Sequence, residues 1–312
     1  MTAMLAIRAH ARGGPGQLAV ESTPRPQPAL GDALVAVHAA AITRGELDWD
    51  ASWTDQAGRD RTPITPSHEM SGVIVSAPAA SGVTTGDAVY GLIPFHRDGA
   101  AAEYAAMPAA LLAPKPASLT HQQAAAMVLT GLTAWQALVS TAHLARGQRV
   151  LVQGAAGGVG SMTVQLAVAL GGDVTAVCSP ADAEYVASLG ATEVIDYTAG
   201  RFEDQADGTD VVVDTVGGDV LRRSAGVLRP GGILICIAEP PDPQLASSHG
   251  IRTAFFVVEP DRGELVRLGE FAEAGTLHPV IAEAYPLDQA AVAYAAVDHS
   301  HRRGKVVLDI RP

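Results

Sequence analysis

Apolar and polar positions change rhythm once along this chain. Up to about residue 113 the apolar residues come in short runs: 34–39, 72–75 and 88–93, the last opened by Gly86-Asp87. Runs of this length between Gly- and Asp-containing turns predict β-strands, and no long helical period interrupts them. Past Pro114-Lys115-Pro116 the pattern alters. Thr120 is a candidate helix cap ahead of an Ala-rich run that ends at 130–135. Strands are then expected at 149–152, 173–178, 193–195, 210–214 and 232–236, with helices at 159–170 and 181–189 between the first of them. The near-continuous apolar runs predict strands buried on both faces, hence a parallel sheet sandwiched by helices in a doubly wound nucleotide-binding domain. The tail predicts a strand at 255–258, a helix at 262–274 and a last strand at 305–310 that returns to the N-terminal β region. The fold class is α/β, with residues 1–117 and 258–312 in a mostly-β substrate domain and 118–257 in the dinucleotide domain. A ligand cleft is expected between the two.

Composition narrows the partners. A chain of 312 residues with 48% hydrophobic content is long enough for more than one core. Its 32 glycines and 20 prolines are spread along the chain rather than gathered in a low-complexity tract. The formal charge of −12 repels phosphate backbones, and the only basic cluster is Arg302-Arg303 with Lys305, so no nucleic-acid partner is expected. The segment 1–12 has no apolar signal core, and no run is expected to reach the ~20 apolar residues of a membrane span. Cys178 and Cys236 lie in apolar strand-like segments; buried thiols are the plain reading, a disulfide the alternative, and a cytoplasmic location fits.

The strongest chemical signal is residues 150–160, in which Gly154, Ala155, Gly157, Gly158, Val159 and Gly160 follow a strand and open a helix. That is the setting of a dinucleotide phosphate loop. Gly157 lets backbone approach a pyrophosphate, Gly160 allows tight helix–strand packing, and the helix N-terminus offers free N–H groups. Ala155 stands where the usual pattern has its first glycine. The next strand ends at Cys178-Ser179 with no carboxylate at its tip for ribose hydroxyls, which points to NADPH, with Ser179 donating to the 2′-phosphate. Asp182 sits where a basic residue would be expected. Tyr197 and Lys305 are therefore candidates for the rest of the clamp, or else ordinary surface residues.

Ordered along the chain are residues 66–73 (PSHEMSGV), 86–91 (GDAVYG), 99–104, 129–135 (LTGLTAW), the 154–160 loop, Leu189-Gly190-Ala191, Ile195-Asp196-Tyr197, 214–218 (DTVGG) and 304–308 (GKVVL). With these the chain resembles the medium-chain dehydrogenase/reductase superfamily over essentially its full length. Within it the chain looks like the zinc-free quinone oxidoreductase and enoyl reductase branch. The resemblance implies a GroES-like N-terminal domain, a Rossmann domain, and a homodimer formed through the last Rossmann strand. It also implies that Thr43, Thr130, Gly157, Gly158, Val159, Gly160, Ser179, Tyr197, Val216 and Lys305 line the NADPH site, with Ile237, Ala238, Phe256 and Val257 towards the nicotinamide. The alcohol dehydrogenase branch binds catalytic zinc through a cysteine, the histidine of a His-Glu pair and a second cysteine. Here His68-Glu69 keeps the pair, Thr43 takes the first cysteine position and no cysteine lies near Thr130, so no metal is expected.

The implied activity is hydride transfer from NADPH to a quinone or an α,β-unsaturated carbonyl compound, with a biosynthetic pathway as the expected setting; an NADPH-binding redox sensor or structural partner is the alternative. Trp49, Trp53, His68 and Phe95 are candidate pocket residues, although the tryptophans equally suit a cover over the β core. No tyrosine lies between Thr43 and Glu69 to donate the proton that related enoyl reductases take from a tyrosine. Thr43 and His96 are the remaining catalytic candidates, His96 for its titration range.

Overall fold

The computed structural model describes residues 2–299 and 303–311, so Arg302 of the basic cluster lies outside them. In chain order the elements begin with β1 (Ala3–Ala9), β2 (Leu18–Pro24), β3 (Asp32–Ile42), a single-turn α1 (Asp50–Trp53), β4 (Glu69–Ser76), β5 (Ala88–Leu92), β6 (Tyr104–Pro108) and β7 (Ala113–Pro114). After α2 (His121–Trp135) come β8 (Arg149–Gln153), α3 (Gly158–Ala169), β9 (Asp173–Cys178), α4 (Ala183–Ser188) and β10 (Glu193–Asp196). Then follow β11 (Thr209–Asp214), α5 (Gly218–Ser224), β12 (Leu228–Cys236), α6 (Pro243–His249) and β13 (Arg252–Phe255). The chain ends with α7 (Arg262–Glu273), β14 (Ile281–Pro286), α8 (Ala290–His299) and β15 (Lys305–Asp309).

These elements form two compact units. Residues 1–129, 259–274 and 279–312 make one, and residues 130–258 with 275–278 the other. The first half of α2 thus goes with the β unit, whereas the sequence pattern put residues 118–257 with the dinucleotide domain. The reason is packing: Ala125 and Ala126 are buried against Ala39, Ala41 and Val307, and the Leu129 N–H donates to Glu69 Oε2 at 3.0 Å.

The first unit is built on a sheet of order β14-β15-β3-β4-β5-β7, with β6 also pairing with β3. β3 explains the arrangement. Its N-terminal half pairs with β6, its C-terminal half with β15, and its other edge with β4. Flanked on both edges, it is buried or nearly so along its whole length, as its apolar sequence demands. The tail strand returns as expected, placing Val306 opposite Ile42 in antiparallel register.

The second unit is a parallel sheet of order β10-β9-β8-β11-β12-β13. Val150–Val152, Val211–Val213 and Ile233–Ile235 are its buried centre. Both cysteines are buried free thiols, so the disulfide alternative falls away. Two expectations change. The last strand is residues 252–255 rather than 255–258, which leaves Phe256 and Val257 beyond its end. Residues 121–141 also form a continuous 21-residue apolar helical run, contrary to the expectation of none that long; it is mostly buried as a core helix.

Candidate active site

In the second unit, most of the residues expected around the cofactor gather at the carboxyl ends of the parallel strands, where ligands bind in open α/β sheets. Gly154 follows β8, Ser179 follows β9, Tyr197 follows β10, Val216 follows β11, Ile237 and Ala238 follow β12, and Phe256 follows β13. Tyr197, Val216 and Val257 are more than half exposed there. Thr130, by contrast, is buried within α2.

The phosphate loop is fixed by glycines for steric reasons. Gly154 has φ +70°, and a Cβ there would lie 2.4 Å from Thr215 Oγ1. A Cβ on Gly160 would lie 2.2 Å from the Gly154 carbonyl oxygen, so only glycine lets α3 start against the loop. Ala155 is buried, its N–H donating to the Val177 carbonyl, which holds the loop on β9. Gly157 is the N-cap residue of the 12-residue α3, and no side chain among the described residues caps the helix. A Cβ at Gly157 would meet only the Gly154 carbonyl, at an ordinary 3.4 Å, so the space over the helix N-terminus is open. Unsatisfied N–H groups and the positive end of the dipole face that space, which fits a diphosphate.

The next loop is shaped by Asp214. Its Oδ1 accepts from the N–H groups of Val216 and Gly217 at 2.7 and 2.8 Å, and Thr215 Oγ1 donates to the Gln153 carbonyl. Asp214 Oδ2 has no partner among the described residues, and burial raises the acid's pKa. Thr215 thereby ties the 215–218 loop to the end of β8.

At the tip of β9 the expectation is met in part. Ser179 is there, but its hydroxyl donates to Asp182 Oδ2 at 2.8 Å. The hydrogen bond expected for a 2′-phosphate is committed to a carboxylate, which also brings negative charge to that corner.

In the first unit the structure joins Thr43, Glu69 and Lys305. Thr43, just past the end of β3, donates from Oγ1 to Glu69 Oε1 at 2.7 Å. Lys305 Nζ donates to Glu69 Oε1 at 2.6 Å and to Thr43 Oγ1 at 2.7 Å. Glu69 is fully buried and Lys305 is 8% exposed, so Lys305 is the counter-ion of a buried carboxylate rather than an exposed phosphate clamp. Sequence gave no hint of two further groups here. Buried Tyr294 donates to Glu46 Oε1, and burial pushes the Glu46 carboxyl up to about 8. Glu46 lies in the polar segment Thr43-Arg44-Gly45-Glu46-Leu47-Asp48, where nothing local sets it apart, and its partner lies 248 residues away.

Of the pocket candidates, His68, Phe95 and Trp49 cluster. The Phe95 ring lies edge-on to both His68, at 5.1 Å, and Trp49, at 5.2 Å. Trp53 departs from the group: it is buried with Ala9 and Ile64, and its Nε1 donates to the Leu47 carbonyl, so it covers the β core. The His68 ring is buried with Nε2 3.2 Å from Ser52 Oγ and Nδ1 without a partner among the described residues. Burial, with Arg61 nearby, depresses its pKa to about 3, so the ring is neutral. His96, directly after Phe95, lies 3.1 Å from Gln56 Nε2.

Comparison with known proteins agrees with this arrangement. Residues 29–117 match the alcohol dehydrogenase GroES-like domain family, and residues 189–308 match the zinc-binding dehydrogenase family. The chain is 33% identical to a probable zinc-binding oxidoreductase, mitochondrial, of Arthroderma benhamiae, over 94% of this chain and 93% of that protein. It is 34% identical to the NADPH-dependent alkenal/one oxidoreductase, chloroplastic, of Arabidopsis thaliana, over 79% of this chain and 64% of the relative. The quinone oxidoreductase structure from Coxiella burnetii superposes with a TM-score of 0.90 at 27% identity, covering 99% of this chain and 100% of that one.

Two of these names carry zinc, but the donor set here does not fit a catalytic zinc ion. His68 brings a single imidazole, Thr43 offers no thiolate, and both Glu69 oxygens are already paired. No three His, Cys, Asp or Glu side chains converge among the described residues. A Rossmann unit with an open phosphate loop, a GroES-like unit whose His-Glu pair is tied to a lysine, and full-length similarity to oxidoreductases lead to one assignment: the chain belongs to the medium-chain dehydrogenase/reductase superfamily, in its quinone oxidoreductase and enoyl reductase branch, and is an oxidoreductase.

Proposed function

We propose that this protein is a zinc-independent reductase that uses NADPH to reduce a quinone or an α,β-unsaturated carbonyl compound. The observation that carries the reading is the steric lock of Gly154 and Gly160, which leaves the N-terminus of α3 open for a diphosphate. When bound, the dinucleotide supplies a hydride equivalent. The chain's own part is binding and orientation. The α3 N–H groups hold the diphosphate, the 215–218 loop anchored by Asp214 supports the nicotinamide end, and Tyr197 flanks the adenosine end. In the first unit, the half-buried rings of Trp49 and Phe95, edge-on to each other with neutral His68 buried behind Phe95, offer a weakly polar aromatic surface suited to a conjugated acceptor. A quinone or enone suits such a site because its conjugation already makes it an electrophile and a metal ion is not needed to activate it. The names of the Arabidopsis and Coxiella relatives point to the same two acceptor classes.

The test is NADPH oxidation by chelator-treated protein against a panel of quinones and enones, with NADH in parallel. Chelator-insensitive consumption with one acceptor class supports the reading. Tight dinucleotide binding with no consumption across the panel overturns it.

A further inference from the structure

The buried ion pair in the first unit has one outward-facing member. Glu69 is completely buried and Lys305 almost so, whereas Thr43 is only half-buried. Thr43 Oγ1 both donates, to Glu69, and accepts, from Lys305. The buried ammonium therefore reaches the half-buried hydroxyl through one hydrogen bond, and the hydroxyl proton, which rests on Glu69 Oε1, is the one that turns to a substrate when Thr43 Oγ1 rotates. The aromatic wall lies close by: His68 precedes Glu69 directly, and Ala41, two residues before Thr43, is the strand partner of Glu69. The neighbouring acid does not compete for the proton. With its carboxyl pushed up to about 8 by burial, Glu46 is neutral at pH 7 and adds no second negative charge beside Lys305.

We propose that Thr43 is the proton donor of the reduction, resupplied by Lys305, with Glu69 positioning Lys305. This rests on the enone and quinone reductase reading above. Hydride adds to the β-carbon of an enone, and the C=C electron pair moves to form an enolate. The enolate α-carbon takes the proton from Thr43 Oγ1 as the O–H bond breaks. Thr43 Oγ1 takes a proton from Lys305 Nζ along the existing hydrogen bond. Lys305 is left as a neutral amine beside Glu69 and regains its proton from solvent after product leaves. The sum is one hydride and one proton added across the double bond, with the dinucleotide oxidised. Thr43 is the catalytic residue in this scheme, and Lys305 and Glu69 act through it.

The experiment is reduction of 2-methylcyclohex-2-enone with NADPH in D2O, reading kcat and the handedness of the deuterated α-carbon. In the wild-type enzyme one enantiomer of 2-methylcyclohexanone is expected in excess. Thr43→Val, which removes only the hydroxyl, is expected to lower kcat about 100-fold, the scale of general-acid catalysis, and to give racemic product. Thr43→Ser is expected to restore the handedness. The charge-neutral double variant Glu69→Gln/Lys305→Met keeps the fold from carrying an orphaned charge and is expected to show the same racemisation. Thr43→Val product that keeps its handedness at wild-type rate overturns the proposal while leaving the reductase reading intact. Handedness kept in the double variant overturns the role of Lys305. A wild-type enzyme that consumes NADPH with no quinone or enone removes the reductase reading itself, and this proposal with it.

Discussion

Lys305 Nζ lies 2.6 Å from Glu69 Oε1, joining two residues 236 positions apart inside the first unit. The pair is buried, so each charge depends on the other. Removing one partner leaves an uncompensated ion in a low-dielectric interior, which costs far more than the pair itself contributes. Lys305→Met is therefore expected to destabilise the protein by about 3 kcal/mol, and Glu69→Gln/Lys305→Met by clearly less. Urea unfolding of the two variants and wild type checks this; a double variant no more stable than Lys305→Met alone would show that the pairing is energetically idle.

Acid should destabilise the fold through two neutral imidazoles. Burial depresses His68 to about 3 and His121 to about 4, the latter stacked on His38 and 2.7 Å from Ser71 Oγ. The unfolded chain binds protons at both below about pH 6.5, while the folded chain does not. Their contribution is complete above pH 6.5 and is lost as pH falls towards the folded values. The midpoint of thermal unfolding should drop between pH 6.5 and 4, and His121→Gln should flatten that slope.

Glu46 acts in the opposite sense. Its folded value of about 8 lies above the ordinary carboxylate range, so the folded state holds a proton that the unfolded state has released between about pH 4.5 and 8. Stability from this group is greatest below pH 4.5 and declines as pH rises to 8. Glu46→Gln, which keeps an acceptor for Tyr294, is expected to unfold at a higher temperature than wild type at pH 9. Equal melting temperatures there would mean that the carboxyl ionises at little cost.

The Ser179–Asp182 contact bears on cofactor preference. With a carboxylate 2.8 Å from the serine hydroxyl, a 2′-phosphate meets negative charge where it needs a donor. Asp182→Asn is expected to lower the KM for NADPH about 10-fold, the equivalent of about 1.4 kcal/mol, with little change for NADH. Steady-state kinetics with both dinucleotides would decide it, and equal shifts for the two would place the 2′-phosphate elsewhere.

β13 is an edge strand of the six-stranded sheet, and Phe255 and Val257 at its end are 40% and 63% exposed. An apolar open edge favours pairing with a second copy. Light scattering is expected to give twice the chain mass, and Phe255→Lys to shift the population towards monomer. A wild-type monomer would leave this edge with some other cover.

Sequence alone determined the parts of this protein that local rules specify. Strand periodicity set β8 to β12 of the parallel sheet and β3, β4, β5 and β15 of the antiparallel one, and the loop at 154–160 was readable because its glycines answer to a turn and a helix start only a few residues away. Tertiary structure decided which distant side chains meet. Lys305 read equally well as a phosphate ligand until β15 returned beside β3 and set it against Glu69. Trp49 and Trp53 were indistinguishable in a loop until one packed on Phe95 and the other on Ile64. Ser179 kept its expected place, but its hydrogen bond went to Asp182. The physical reason is that periodicity records which face of an element is buried, not which partner a charge, hydroxyl or ring finds there: Glu69 reaches Lys305 across 236 positions, and even the near neighbours Ser179 and Asp182 meet only once their loop has taken its shape.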